Sequence, residues 1–392
     1  MDFSLFFFSG DGATAAQHKY QLLLDSVKFA DQQGFTAVWV PERHFHAVGG
    51  LYPNPSVVAA ALAMVTERIE LRAGSVILPL HNAARVAEEW AVVDNLSGGR
   101  VALAFGSGWQ PNDFVFSPDR YDTRKEDMYR GIEIFKKLWL GEAAQFVSGS
   151  GEEIPIKVFP RPLSKTLPPI WISATREIET FRDAGRLGAN ILTALLYQNL
   201  SDTAEKIAAY RESLAQHGHE SGKVTLALHT FVGEDLDQVR ETVREPLCNY
   251  LRSSISLMKN VTEKFGIDIE VDKLSNRDID GVVAFAFERY FNNSALLGTI
   301  DSCSAMIERL RNVGVDEIAC FIDFGPEPEL VMSSMVHLDA LRRRWQTPSR
   351  AVAATAPAAA ASLAERAVQR SEKQKQALLK MKQEREHSHG RI

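Results

Sequence analysis

The feature of this sequence that most constrains its fold is a regular alternation of short apolar runs with amphipathic segments. Eight runs rich in β-branched and aromatic residues have the length and composition of buried strands. Between them, segments such as 20–35 and 203–218 carry apolar residues at helical spacing. Continuous apolar strands that alternate with helices are typical of a parallel sheet covered by helices. The runs are 3–8, 36–41, 71–79, 101–108, 169–175, 190–196, 224–233 and 317–325.

Eight strand–helix units within about 350 residues predict an α/β fold of the (β/α)8 barrel type, which would span residues 1–346. A doubly wound open sheet is the alternative. Two insertions interrupt the alternation, one near 141–168 with a possible hairpin and one near 253–296 that is partly helical. In a barrel both insertions would lie near the loops and could cover the end that holds the active site.

The composition changes after Trp345. Residues 347–362 are an Ala/Pro linker, and residues 363–392 are a charged, helix-prone tail. From residue 351 on, the excess of Lys and Arg over Asp and Glu gives this end of the chain a charge of about +4. Such a composition fits either a solvated helix or a helix that docks on a partner such as a synthase or carrier protein.

Charge and cysteine usage exclude several classes of function. The formal net charge is −6 and no broad basic run occurs before residue 350, which argues against a nucleic-acid partner. Cys248, Cys303 and Cys320 lack the spacing of metal ligands, and an odd, scattered number fits a reducing compartment, so we expect a cytoplasmic protein. The sequence contains no apolar stretch of about 20 residues, so no membrane span is predicted.

The stretch WVPERHFH, residues 39–46, places Glu42, His44 and His46 at alternate positions after a predicted strand. Two histidines and a carboxylate are the ligand types of Fe(II) and Zn sites. Alternate residues of an extended chain project about 7 Å apart, however, whereas ligands converge within about 2 Å of one ion. A metal site and a purely structural role remain open, but we favour a site that handles protons or orients a substrate.

Glycines mark two other strand ends. Gly106 and Gly108 remove side chains where the fourth strand ends, so a flat ring or a phosphate could approach the backbone, unless these glycines merely turn the chain. Gly74 and Ser75 interrupt an apolar strand, which indicates a bulge or a close backbone approach.

Two further stretches have the appearance of phosphate sites. Residues 9–16 contain the spacing GxGxxA, but the acidic residue of a dinucleotide site should follow after about 20 residues, and Glu42 comes too late. We therefore favour an ordinary loop there. In residues 173–185, Thr175 has the position of a helix N-terminus, where free N–H groups bind phosphate, although a plain N-cap is favoured from the residues alone.

Together, the stretches VWVPERHF (38–45), YPNPSVVAAALA (52–63), residues 74–100 and GSGWQPNDF (106–114) resemble the luciferase-like flavin-dependent monooxygenases. The resemblance is greatest to the branch associated with nonribosomal peptide and polyketide biosynthesis, and it runs from residue 1 to about 345. It implies a barrel that binds reduced FMN, reacts it with O2 to form a C4a-peroxyflavin, and inserts one oxygen atom into an organic substrate. It also implies a separate flavin reductase and, in many relatives, a homodimer.

The resemblance assigns expected roles to particular residues. Gly74 and Ser75 match the position of a non-prolyl cis peptide against the flavin ring. Gly106, Ser107 and Gly108 match a flavin-facing strand end, and the segment that helps to hold the FMN phosphate is matched by Ser173, Ala174, Thr175 and Arg176. The expected catalytic residues are His44 and His229, which would manage protons, and Arg43, which could hold a carboxylate or phosphate group.

The sequence also departs from the family pattern. Bacterial luciferase has a histidine at the position of Arg43 and an arginine at the position of Ser107, so Arg176 or Arg85 would have to supply the charge for the phosphate. Ala227 replaces an arginine of alkanesulfonate monooxygenase, so a sulfonate substrate is not expected. A deazaflavin (F420)-dependent oxidoreductase and a non-catalytic flavin-binding or scaffold protein remain alternatives.

Overall fold

The computed structural model describes residues 1–9, 18–195, 198–262 and 276–346, and it describes no side chains for 254–262 and 276–279. These residues belong to one unit, Met1–Thr347. The GxGxxA glycines, the 347–362 linker and the 363–392 tail lie outside the described residues.

Eight parallel strands close into a barrel, as the sequence predicts. Their order is β1, β2, β3, β4, β7, β8, β9 and β11, and β11 pairs with β1 in the register Phe6 to Phe321. This last pairing closes the barrel, so the alternative of an open sheet is wrong. The strands in chain order are β1 (Asp2–Phe6), β2 (Ala37–Val40), β3 (Glu70–Ile77), β4 (Val101–Gly106), β5 (Ala144–Val147), β6 (Glu153–Ile156), β7 (Ile170–Ser173), β8 (Asn190–Ala194), β9 (Val224–Gly233), β10 (Leu296–Thr299) and β11 (Glu317–Phe321).

Helices follow the barrel strands and cover their outer faces. Asn54, Asn82 and Asn199 each precede a helix, and their side chains accept hydrogen bonds from free N–H groups of its first turn. No helix among the described residues is both long and apolar enough to span a bilayer. The helices are α1 (Gln21–Gln33), α2 (Pro55–Ala63), α3 (Ala83–Ser97), α4 (Arg124–Leu140), α5 (Ile178–Arg186), α6 (Leu200–Gln216), α7 (Leu236–Thr262), α8 (Asn276–Asn293), α9 (Ile300–Asn312) and α10 (Pro328–Trp345).

The interior of the barrel holds a buried ion pair that the sequence did not predict. The guanidinium of Arg72 lies between the rings of Trp39 and Trp171, at 4.8 and 4.5 Å from their centroids. Its Nη1 donates to both carboxylate oxygens of Glu317, at 2.7 and 3.0 Å. Burial opposes the charge of Glu317, but Arg72 and Lys223 hold the pKa of this carboxyl below its usual range. The pair therefore fills the core with charges that compensate each other.

The first of the two expected insertions contains the antiparallel hairpin of β5 and β6. The second begins earlier than expected, because α7 already starts at Leu236. Helices α7 and α8 pack an apolar cluster against the ends of β9 and β11, where Phe231 and Phe321 lie. The short β10, which was not predicted, adds a parallel pairing to the last residues of β9. This insertion therefore covers one side of the barrel's C-terminal end.

Candidate active site

A buried carboxylate organises the C-terminal end of β2 and β3. Oε1 of Glu42 lies 2.9 Å from Nε2 of His44 and 2.5 Å from Nε2 of His81, and its Oε2 accepts a hydrogen bond from the N–H of Ile77 at 2.7 Å. Burial opposes ionisation of Glu42, but these hydrogen bonds outweigh it and lower its pKa. The site therefore holds an ionised carboxylate that faces two imidazoles.

This geometry fixes the tautomers of both histidines. An ionised carboxylate only accepts hydrogen bonds, so each Nε2 that faces Glu42 must carry a proton. The lone pair of neutral His44 then lies on Nδ1. His44 thus has one nitrogen committed to the protein and one that can take or give a proton elsewhere.

The alternation of Glu42, His44 and His46 does not produce one common face. Phe45 has φ of 52°, so the chain leaves the extended conformation between the two histidines. His46 turns away, and its Nδ1 accepts a hydrogen bond from the N–H of Val48 at 3.0 Å. Within the described part of the chain, no three His, Cys, Asp or Glu side chains are arranged to hold a metal ion.

Arg43 is buried beside this cluster, with 3% of its side chain exposed, and is not an exposed loop residue. Its Nη1 donates to Oδ1 of Asp113 at 2.6 Å, and the indole of Trp109 lies 5.5 Å from the guanidinium. Burial raises the pKa of Asp113 despite the contact with Arg43. Nε of Arg43 has no hydrogen-bond partner among the described residues. Asp113 therefore binds one edge of the guanidinium, whereas the Nε–H donor on another edge has no partner among the described residues.

Apolar side chains form a rim above His44. The ring of Phe116 packs edge-on against His44 at 5.0 Å, and Phe45 lies 5.3 Å from Phe116. Phe45 is 63% exposed and Phe116 is 54% exposed, which is unusual for phenylalanine. The positive φ of Phe45 directs this residue toward the rim instead of the core. Such a rim suits the exclusion of water from the site.

Small residues from three neighbouring strand ends form a floor beside the cluster, which we call the small-residue floor: Ser75, Gly106 and Ser173. A Cβ atom added to Gly106 would lie 2.7 Å from Oγ of Ser75 and 3.8 Å from Cβ of Ser173. Ser75 and Ser173 are partly exposed, and so are Ser107 and Gly108 next to the floor. The three strand ends are therefore in contact, with Gly106 itself buried and only small, partly exposed side chains on either side of it.

The Gly74–Ser75 peptide bond is cis, the form that the family resemblance implies. The pairing of β3 with β4 shifts register between Gly74 and Val76, so Ser75 is the extra residue of a bulge. A Cβ on Gly74 would lie 3.0 Å from Cε2 of Phe6 and 3.1 Å from Cβ of Trp39. Of the two predicted alternatives, a bulge or a close backbone approach, the structure thus shows both.

The expected N-cap at Thr175 is wrong. Helix α5 begins at Ile178 with Glu177 at its N-cap position. The reason is that Ala174 still pairs with β8, since its N–H donates to the carbonyl of Leu192 at 3.0 Å. Thr175 and Arg176 are exposed at this strand end. Nζ of Lys206, from α6, donates to the carbonyl of Thr175 at 2.9 Å and so adds a cation that the sequence did not indicate.

His229, in β9, lies on the opposite side of the barrel end. Its ring packs against Tyr250 at 4.7 Å and Phe321 at 4.6 Å, and its Nε2 has no hydrogen-bond partner among the described residues. Burial lowers its pKa to about 3. His229 is therefore neutral near pH 7, which suits a hydrogen-bonding group better than a carrier of protons. Arg85, considered for phosphate binding, instead pairs with Glu89 at 2.7 Å.

A second buried carboxylate fastens two loops of this end together. Asp323 accepts hydrogen bonds from the N–H groups of Phe8 and Ser9, at 2.9 and 2.8 Å, and from the hydroxyl of Tyr52 at 3.0 Å. The carbonyl of Tyr52 in turn accepts from the N–H of Arg43 at 3.0 Å. Burial raises the pKa of Asp323 to about 7. Asp323 thus anchors the loops after β1 and β2.

Sequence reasoning missed His81, Asp113, Lys206 and Asp323. His81 and Asp113 lay within stretches that were recognised, 74–100 and 106–114, but neither stretch indicated that they would face Glu42 and Arg43. For Asp323 the available signal was its place directly after the last strand, where carboxylates of barrel sites occur.

Comparison with known proteins gives one family and several similar structures. The family model for luciferase-like monooxygenases matches residues 1–317. The chain is 24% identical over 327 residues to the oxygenase component of the flavin-dependent trigonelline monooxygenase of Acinetobacter baylyi, covering 81% of this chain and 87% of that one. It is 26% identical over 298 residues to 4-hydroxyprotoasukamycin monooxygenase of Streptomyces nodosus, covering 74% and 76%.

Two solved structures share the fold. The oxygenating constituent of 3,6-diketocamphane monooxygenase from Pseudomonas putida, in complex with FMN, has a TM-score of 0.69 at 17% identity and covers 88% of this chain and 99% of that one. An F420-dependent secondary alcohol dehydrogenase in complex with an F420-acetone adduct has a TM-score of 0.65 at 15% identity, with the same coverage.

Proposed function

Because this chain belongs to the luciferase-like monooxygenase family, we propose that it is the oxygenase component of a two-component system that uses reduced FMN and O2. The observation that carries the proposal is the small-residue floor, since a flat ring system needs strand ends that carry only small side chains and stay partly exposed, as Ser75 and Ser173 do beside the Glu42 and His44 cluster. A relative that is itself an oxygenase component supports a separate reductase.

The polar groups around the floor fit a flavin. Across the barrel end from the floor, the buried Nε2 of His229 has no partner among the described residues, and a heteroaromatic ring with carbonyl and N–H groups would supply one. Ser173 to Arg176 would hold the FMN phosphate, with charge from Arg176 and Lys206. When bound, reduced FMN supplies the two electrons that O2 needs to transfer one oxygen atom to a substrate.

His44 is the residue we assign to proton transfer. Its Nδ1 carries the free lone pair, and its ring is held by Glu42 and by the edge of Phe116. Phe45 and Phe116 keep water from the reacting atoms, which prevents loss of the oxidising equivalent to solvent. Arg43 orients an anionic group of the substrate through the part of its fork that Asp113 leaves free.

For the substrate, we propose an intermediate of peptide or polyketide biosynthesis, free or attached to a carrier protein. The relative that acts on 4-hydroxyprotoasukamycin supports this class. A carrier-bound substrate would reach the site across the apolar rim of Phe45 and Phe116, and the 363–392 tail is the segment that we propose for docking on the carrier or synthase.

The decisive experiment combines cofactor titration with oxygen uptake. The flavin-free protein is titrated under anaerobic conditions with reduced FMN and, separately, with reduced F420, a rival that the similar dehydrogenase structure brings into consideration. We expect tighter binding of reduced FMN and oxygen consumption when a reductase supplies it. Tighter binding of reduced F420 would favour an oxidoreductase that uses no O2, and neither binding nor oxygen uptake would favour a scaffold protein.

Variants then test which histidine transfers the proton. His44→Ala should bind reduced FMN within about threefold of the native protein but slow oxygenation by about 10²–10⁴-fold, the usual contribution of a positioned acid or base. His46→Ala is the matched control, because this histidine lies in the same loop and its Nδ1 accepts a hydrogen bond from the N–H of Val48. Equal turnover of both variants would remove His44 from the mechanism.

A further inference from the structure

The carboxylate oxygen that positions His44 also binds a second histidine, which the proposed mechanism does not use. His81 follows the short 3₁₀ turn Leu78–Leu80 at the end of β3, and its Nε2 contacts the same Oε1 atom of Glu42 as His44 does. The remaining oxygen of Glu42 is occupied by the N–H of Ile77. The two imidazoles therefore share one acceptor atom.

The two histidines differ in their access to solvent. The side chain of His81 is 31% exposed, whereas that of His44 is 9% exposed. His81 and Glu42 line a cavity of about 20 Å³, which is enough for one water molecule, together with the polar residues Asn54, Ser56 and Glu89. His81 is thus the member of the cluster that exchanges protons with the medium most readily.

The charged groups that face His81 come from three elements. Glu42 lies after β2, Arg85 and Glu89 lie on α3, and Nη1 of Arg120 donates to the carbonyl of His81 at 3.2 Å. His44 faces Glu42 and Asp113. Burial opposes the charge of His81, but its contact with Glu42 raises its pKa overall, so the cationic form is favoured in this setting.

We propose that His81 is a positioning residue that sets the proton affinity of His44 through the shared Oε1 atom of Glu42. While His81 carries a proton, the charge of Glu42 is already balanced, so Glu42 stabilises an imidazolium at His44 less. When His81 is neutral or absent, Glu42 stabilises the imidazolium of His44 instead. The inference rests on the proposed function of His44 as the group that transfers protons.

The coupling can be measured without flavin or turnover. In the flavin-free full chain labelled with ¹⁵N-histidine, the signals of His44 among the ten histidines are identified by their loss in His44→Gln. Removal of a neighbouring cation should raise the titration midpoint of His44 by about one to two pH units in His81→Gln. His46→Gln, a matched control in the same loop, should leave it unchanged.

A second variant keeps the proposal testable if His81→Gln does not fold. Glu89→Gln removes an anion that faces His81, so the cation of His81 becomes less stable. We expect the midpoint of His44 to move in the same direction as in His81→Gln but by less. A midpoint of His44 that is equal to the native one in every folded variant of this pair would overturn the proposal.

Kinetics connect the coupling to the reaction. The pH at which oxygen uptake rises should move with the midpoint of His44 in His81→Gln, while the KM for reduced FMN stays within about threefold. A shifted midpoint in a protein that consumes no oxygen would leave the coupling intact and refute the proposed function. Oxygen uptake with an unshifted midpoint would refute the coupling and leave the function intact.

Discussion

Replacing Glu42 by Gln should destabilise the protein because no orientation of the amide satisfies its neighbours. Glu42 accepts three hydrogen bonds, two from His44 and His81 at one oxygen and one from the N–H of Ile77 at the other. An amide offers a single acceptor oxygen, so its NH2 group must face either Ile77 or the histidines. Loss of a buried charged partner costs about 3–5 kcal/mol, and we expect about 3 kcal/mol because His81 is partly exposed and screened.

The pH dependence of this loss follows from the two shifted groups. The pKa of His81 is raised in the folded state, so its contribution to stability is complete below its unfolded pKa and disappears as pH rises through the folded value. The pKa of Glu42 is lowered, so its contribution is present above its unfolded pKa and disappears as pH falls through the folded value. The cost of Glu42→Gln should therefore be greater near pH 6 than at pH 8.5.

Urea denaturation of both proteins at these two pH values provides the measurement. Glu133→Gln is the control, since this exposed glutamate of α4 pairs with Lys136 in the same helix and should change stability by less than about 0.5 kcal/mol. A loss below about 1 kcal/mol at pH 6, or a loss equal at both pH values, would refute the reasoning about Glu42.

Three other variants test separate features by unfolding or binding measurements. Arg72→Met leaves buried Glu317 without the guanidinium that binds both of its oxygens and should cost about 3–5 kcal/mol in urea denaturation. Arg72→Met combined with Glu317→Met should recover most of this loss, and equal stability of the single and double variants would contradict the reasoning. Burial raises the pKa of Asp323 from 3.8 to about 7, so folding favours its protonated form and stability falls as pH rises from about 4 to 7. Asp323→Asn should therefore reduce the difference in thermal stability between pH 5 and pH 8. An unchanged difference would exclude Asp323 as its source. His229→Phe removes a buried nitrogen without a partner among the described residues, so the flavin-free protein should keep its stability within about 1 kcal/mol. The same variant should bind reduced FMN more weakly. Unchanged affinity for reduced FMN would show that His229 does not contact the flavin.

Much of the fold is evident from local patterns. Each of the eight predicted runs overlaps one barrel strand, because strands buried on both faces require continuous apolar residues. The position of Arg72 in the barrel interior was not predictable in this way. A charged residue in a strand indicates a solvent-facing position unless its partner is known, and Glu317 lies 245 residues away in the chain.

The site was predictable only where residues adjacent in sequence form it. Glu42 and His44 belong to one short stretch, so their contact was open to local reasoning, whereas the turn at Phe45 separates His46 from them. The positive φ of Phe45 could not be anticipated, since glycine and asparagine are the residues that usually adopt it. His81 joins the cluster through the end of another strand, so its role depends on the closed barrel.

The most direct test of the central claim is the affinity of the flavin-free protein for reduced FMN under anaerobic conditions, compared with two serine variants. Ser173→Leu places a bulky side chain on the small-residue floor, beside Gly106. Ser150→Leu is a matched change at an exposed position of the β5–β6 hairpin. The structure predicts that Ser173→Leu weakens binding at least about tenfold, equivalent to about 1.4 kcal/mol, while Ser150→Leu binds as the native protein does. Equal affinity of all three proteins would contradict a flavin site at this end of the barrel.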